Sequence, residues 1–170
     1  MNYIFLDVDG VLNTHDFIKQ HLYDDVWVDI ELVNNLAKVV KETNAKVILS
    51  SSWRYGYDQY MRPLYKTSGC AELLRILKEA GIVIRGSTQR CIREDYDKGQ
   101  REEHIQTYID RHFQPGDNFV IFDDEDWNFG HSPGMSIFKE HFIQTDWRTR
   151  GLDQSCINKA LNILLKKENQ

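Results

Sequence analysis

The sequence predicts an α/β fold: a mainly parallel, five-stranded sheet with helices on both faces. Three observations carry that prediction. Five short runs are continuously apolar rather than alternating: YIFLDV at 3–8, KVILS at 46–50, IVIR at 82–85, NFVIF at 118–122 and HFIQT at 141–145. A continuous run suits a strand buried on both faces, as crossover helices bury the strands of a parallel sheet. Helical patterns fill the gaps between the runs, and that alternation marks βαβ units. Polar residues follow the runs directly, where ligands bind in sheets of this kind.

The elements follow in order. The first run begins almost at Met1, which leaves no room for a leader peptide, and it closes on Asp7, Val8, Asp9 and Gly10. Residues 13–28 are expected to form only a short flap, in which His15 and His21 are solvated or structural rather than substrate contacts. Over 29–43, Ile30, Val33, Leu36 and Val40 form one stripe, with Asp29 as the cap. The second run leads into Ser50, Ser51 and Ser52. A helix over 68–81 starts at the capping Ser68 and stops at Gly81, ahead of the third run. Residues 100–112 form an amphipathic helix before the fourth run, which ends at Asp123 and Asp124. The fifth run is followed by Trp147, Arg148 and Arg150 at the same edge, and then by a helix over 154–167 capped by Asp153. No repeat, low-complexity tract or linker interrupts the series, so one domain over 1–170 is expected.

Composition narrows the function classes. The chain is 41% hydrophobic and 28% charged with a net charge of -5, ordinary for a soluble globular protein. A polycation that wraps nucleic acid is excluded, although a local basic patch is not. No apolar stretch approaches the roughly 20 residues that span a bilayer, so no membrane association is expected. Cys70, Cys91 and Cys156 lie far apart with no CxxC pair, which suits reduced thiols in the cytoplasm. No HxxH or HExxH spacing points to zinc.

The groups beyond the first, second and fourth runs converge on one edge of the predicted sheet. Gathered carboxylates repel and resist ionisation unless a hard cation joins them, and Mg²⁺ takes one or two carboxylates plus substrate oxygens. A carboxylate can then attack a phosphoryl group held there. If the first strand persists through Asp9, Asp7 and Asp9 share one side of it, so that Asp9 can move protons. Gly10 permits the backbone twist at the strand's end. Hydroxyls and amides at 50–52 suit phosphoryl oxygens, although such serines also serve as helix caps.

Three segments carry a family resemblance. DVDGVLN at 7–13, SSSWR at 50–54 and FDDED at 122–126 resemble, in that order, the first, second and fourth motifs of the haloacid-dehalogenase-like (HAD) phosphohydrolases. VILSSSWR and FIQTDWRTRGL are similar to the HAD domain of Swiss army knife RNA repair proteins, and more loosely to the 3′-phosphatase half of polynucleotide kinase-phosphatases. The resemblance implies a Rossmann-like three-layer sandwich with a minimal cap or none, Mg²⁺ as cofactor, and an aspartyl-phosphate intermediate. By position it makes Asp7 the nucleophile and a metal ligand. Asp9 becomes the general acid and base, with its backbone carbonyl on the metal. Ser51, ahead of Ser50, becomes the phosphate-binding hydroxyl. Asp123 and Asp124 both qualify as metal ligands, and Asp126 less so. For the basic residue of the third motif, DKGQREEHI at 97–105 offers Lys98 and Arg101, with Arg101 preferred.

Neither 13–28 nor 55–97 holds a full lid, and an open site suits a large phosphomonoester such as a nucleic-acid end. Residues 54–101 carry ten lysines and arginines against six aspartates and glutamates, a local balance of +4. There Trp53, Tyr55, Tyr57, Tyr60 and Tyr65 interleave with Arg54, Arg62 and Lys66, the mixture that single strands require, although aromatics at such spacing are often core or surface filler. Arg54, next to the serines, is the expected phosphate contact. The competing readings are a phosphatase for small nucleotides or sugar phosphates, whose flap closes over its substrate, and a non-catalytic binding module. Nothing in the sequence points to a protein partner.

Overall fold

The computed structural model describes residues 1–24, 26–66, 69–88, 100–126 and 137–166. Its five strands are β1 (Asn2–Leu6), β2 (Lys46–Leu49), β3 (Ile84–Ser87), β4 (Asn118–Asp123) and β5 (Phe142–Gln144). They form one sheet in the order β3-β2-β1-β4-β5, every pair parallel. The connecting helices are α1 (His15–Gln20), α2 (Ile30–Thr43), α3 (Gly69–Glu79), α4 (Gln100–His112), α5 (Ile137–His141) and α6 (Gln154–Leu164). A 3₁₀ helix covers Ser52–Gly56.

Side chains alternate along each strand, and this alternation builds a core on either face. Ile4, Leu6, Val120 and Phe122 join Leu36, Leu73, Leu77 and Ile157 in one core, which packs α2, α3 and α6 against the sheet. Tyr3, Phe5, Phe119 and Ile121 join Ile105 and Phe138 in the other, under α4 and α5. The result is the three-layer α/β sandwich that the apolar runs predict. Each fully buried Leu or Phe contributes about 1.5–3 kcal/mol to it.

Several boundaries differ from expectation. β3 lies two residues further on than the apolar run, because Ile82 belongs to the end of α3. Gly81, at φ +79°, reverses the chain there, and the Ile82 amide donates to the Leu77 carbonyl. This is the backbone hydrogen bond that closes a glycine-terminated helix. On α2 the buried stripe is Leu32, Val33, Leu36 and Val39, whereas Ile30 is 51% exposed. Asp29 caps the Glu31 amide as expected, and Ile30, at the first helical position, faces outward. Asp153 likewise caps α6, which ends at Leu164 rather than 167. The flap proves to contain α1, capped by Thr14. The predicted cap Ser68 and Cys91 lie outside the described residues. Cys70 and Cys156 are free thiols, and no helix among the described residues is long and apolar enough to cross a membrane.

Candidate active site

Because every strand runs the same way, the carboxyl ends share one edge, and the backbone ladder continues one residue past several of them. The Asp7 amide donates to Phe122, Ser50 to Leu6, Thr88 to Leu49 and Thr145 to Asp123, all at 2.8–3.0 Å. Asp7, Ser50, Thr88, Asp123 and Thr145 therefore stand in a row along that edge, and all are buried.

At the centre of the row three carboxylates meet. Oxygens of Asp7, Asp123 and Asp124 lie within 4.8 Å of one another. Burial, and then the Asp7 charge beside it, pushes the Asp123 carboxyl well above the usual carboxylate range. The same two causes raise Asp124 to about 6. Arg101, in the first turn of α4, is the counter-charge. Its Nη1 donates to Asp7 Oδ2 at 2.7 Å and also to Asp123 Oδ2. Burial works to lower this guanidinium, but the charges of Asp7 and Asp123 outweigh it and hold the group protonated. An all-oxygen donor set, two members buried and repelling each other, suits a hard divalent cation.

Asp9 stands apart from this group. β1 ends at Leu6, so Asp7 and Asp9 do not share a strand face: Asp7 is buried and Asp9 exposed. The Asp9 carboxylate is held at both oxygens instead. Trp53 Nε1 donates to Oδ2 at 2.9 Å, and Asn13 Nδ2 donates to Oδ1 at 3.1 Å. Asn13 is itself fixed, donating to the Trp27 carbonyl and accepting from the Gly10 amide at 3.0 Å. That Asn13 and the Trp53 indole hold Asp9 is not identifiable from the sequence. Gly10 is required twice over: its φ is +71°, and a Cβ there would lie 2.5 Å from Asp124 Cγ. Its carbonyl accepts from Thr145 Oγ1 at 2.8 Å, tying the loop to the end of β5.

The serine cluster divides. The Ser50 hydroxyl is buried and has no hydrogen-bond partner among the described residues. Ser51 Oγ accepts from the Trp53 amide and caps the 3₁₀ helix, while Ser52 is exposed at its first position. Arg54 is buried, and its Nη1 and Nη2 donate to the Ser51 carbonyl and the Tyr55 hydroxyl. It braces its own turn. Tyr57 is a core residue, fully buried and donating to the Cys70 carbonyl. Lys98 lies outside the described residues.

A family model described as the HAD domain in Swiss Army Knife RNA repair proteins matches residues 3–156. No curated protein and no solved structure matches the chain.

Proposed function

The chain belongs to the family of HAD domains found in Swiss Army Knife RNA repair proteins, and from that membership we propose a Mg²⁺-dependent phosphomonoesterase acting on nucleic-acid 3′-phosphates. The observation that carries the reading is the meeting of Asp7, Asp123 and Asp124 at the ends of β1 and β4, with Arg101 on two of them. Asp7, Asp123, Asp124 and the Asp9 carbonyl would hold Mg²⁺, which when bound supplies neutralisation of the phosphate's negative charge.

The chain's own residues account for the remaining chemistry. An Asp7 oxygen attacks phosphorus while Asp9 passes a proton to the departing oxygen, and the bond to the leaving group breaks. The aspartyl phosphate is then hydrolysed. Asp9 takes a proton from the attacking water, the bond between phosphorus and Asp7 breaks, and inorganic phosphate leaves. Arg101, the Ser50 and Ser51 hydroxyls and the amides of 51 and 52 receive the phosphoryl oxygens. Trp53 and Asn13 hold Asp9 apart from the carboxylate cluster and orient it for proton transfer. The +4 balance of residues 54–101 supports a polyanionic leaving group. Free thiols at Cys70 and Cys156 support a reducing compartment, the cytoplasm.

The test is phosphate release with Mg²⁺ from an aryl phosphate, a 3′-mononucleotide and a 3′-phosphorylated oligonucleotide. The oligonucleotide should be preferred. Asp7→Asn should abolish turnover and the acid-trapped intermediate, and Asp9→Asn should lower kcat by about 10²–10⁴ while leaving Mg²⁺ binding intact. Near-wild-type turnover in either variant would overturn the mechanism. Equal hydrolysis of the small esters would reassign the substrate to small nucleotides or sugar phosphates. Silence on all three would leave a binding module.

A further inference from the structure

The basic, aromatic segment after the serine cluster is sorted by the fold, and part of it borders a second feature. Residues 57–63 form a tight hairpin-like turn closed by the Tyr57–Pro63 bridge. Asp58 organises the tip: its carboxylate accepts from the amides of Tyr60 and Arg62 and from the Arg62 side chain. Met61 is in the left-handed region at φ +58°, unusual for a residue other than glycine. Tyr60 stands 68% exposed on this fixed tip, with the Arg62 guanidinium 5.0 Å from its ring centroid.

Beside the tip runs a groove of about 600 Å³, floored by β3 and bounded by Tyr60 on one side and by Tyr108 and His112 of α4 on the other. Among the described residues β3 is an edge strand, so its outer backbone groups face this groove rather than a neighbouring strand. Arg85 is exposed along it. At its upper end lies Thr88, whose buried hydroxyl has no hydrogen-bond partner among the described residues. Thr88 is two strands from Asp7 in the row of strand ends, about 10 Å at the usual spacing, and Ser50, with its own unpartnered hydroxyl, lies between them. Two buried hydroxyls without partners among the described residues thus stand in the row between the carboxylate cluster and the groove, and buried polar groups of this kind call for a ligand.

We propose that the β3 groove binds the nucleotides that precede a phosphorylated 3′ end, a single strand stacking on Tyr60 while its terminus reaches Asp7. This rests on the phosphomonoesterase reading. An exposed tyrosine on a preorganised turn offers every base a flat face with little ordering cost, and Arg85 meets the backbone charge. The Asp58 charge is already neutralised by Arg62, their closest approach being 2.6 Å. The Thr88 hydroxyl, at the end of the groove, takes a polar group of the last nucleotide.

The test separates binding from chemistry. Binding of a fluorescent single strand of about six nucleotides, ending in a 3′-hydroxyl, is measured by anisotropy for wild type, Tyr60→Ala and Arg85→Ala. Turnover of the 3′-phosphorylated strand and of a 3′-mononucleotide is measured on the same proteins. Each substitution is expected to weaken strand binding and raise the strand's KM roughly tenfold, and to leave mononucleotide turnover unchanged. Wild-type binding in both variants would overturn the groove, even if the phosphatase reading holds. Absent turnover with Tyr60-dependent binding would sink the phosphatase reading and keep the groove. A phosphopeptide that binds more tightly than the strand, and is weakened by the same substitutions, would overturn the proposal in favour of strand addition to β3.

Discussion

Trp53 and Asp9 are 44 residues apart in sequence, yet the indole N–H fixes one carboxylate oxygen as Asn13 fixes the other. A hydrogen bond to a charged group is typically worth about 1.5–3 kcal/mol. Trp53→Phe keeps the ring and removes the donor, so kcat should fall roughly tenfold while Mg²⁺ affinity stays unchanged. A matching loss of Mg²⁺ affinity would mean that Trp53 acts on the carboxylate cluster instead. Gly10→Ala perturbs the opposite set. It adds a left-handed penalty of about 1–2 kcal/mol and drives a methyl into Asp124. Titration of the variant should therefore require more Mg²⁺, with Asp9-dependent proton transfer spared at saturation. These assignments mark where residue-level legibility ends. Asp7, Asp123 and Gly10 stand next to apolar runs and announce themselves. Asn13 lies in a loop with no periodicity, and Tyr57, named with the other aromatics of 53–65, is in the core.

The turn after β5 behaves as a unit. Asp146 accepts from the amides of Arg148 and Thr149, the Thr149 hydroxyl and Arg150 Nε. The carbonyls of Trp147 and Arg148 then accept from His15 and Asp16, docking α1 onto the turn. The Arg148 amide, followed by the Arg150 side chain, lowers the Asp146 carboxyl to about 2 from an ordinary 3.8. A carboxyl depressed in the folded state binds its proton first in the unfolded chain. Its stabilisation is complete above pH 3.8 and lost as pH falls from there to about 2. The stability gap between wild type and Asp146→Asn, measured by denaturant melts across that window, should close as the medium is acidified. A gap independent of pH would show that shape rather than charge holds the turn. Helix and strand positions were legible because burial repeats with the period of the element. Displacements arose where a cap or a turn set the phase, as at Asp29 for Ile30 and at Gly81 for Ile82.

The sheet order unites residues that are distant in the chain, and a ligand shared by β1 and β4 should tighten the whole. Mg²⁺ at about a hundredfold excess over its Kd adds about 2.7 kcal/mol of stability, or roughly 5–10 °C in Tm for a chain of this size. Asp123→Asn should lose most of that increment. An equal shift in the variant would move the ion elsewhere. At this scale the sequence was most informative. Five apolar runs ending in polar residues were enough to gather Asp7, Ser50 and Asp123 on one edge, because parallel strands leave no other arrangement. Strand order, the β3 groove and the division of the serines were not legible, since each depends on which neighbours meet in space.

The pairing of Asn2 with Asn118 also has a meaning in time. During synthesis β1, β2 and β3 all emerge before β4. Asp7 must nevertheless wait for β4 before Asp123 and Asp124 arrive. Closing so long a loop is slow. The carboxylate cluster is therefore complete only after β4 has paired with β1, and a molecule able to bind the cation has already joined the two halves of its sheet.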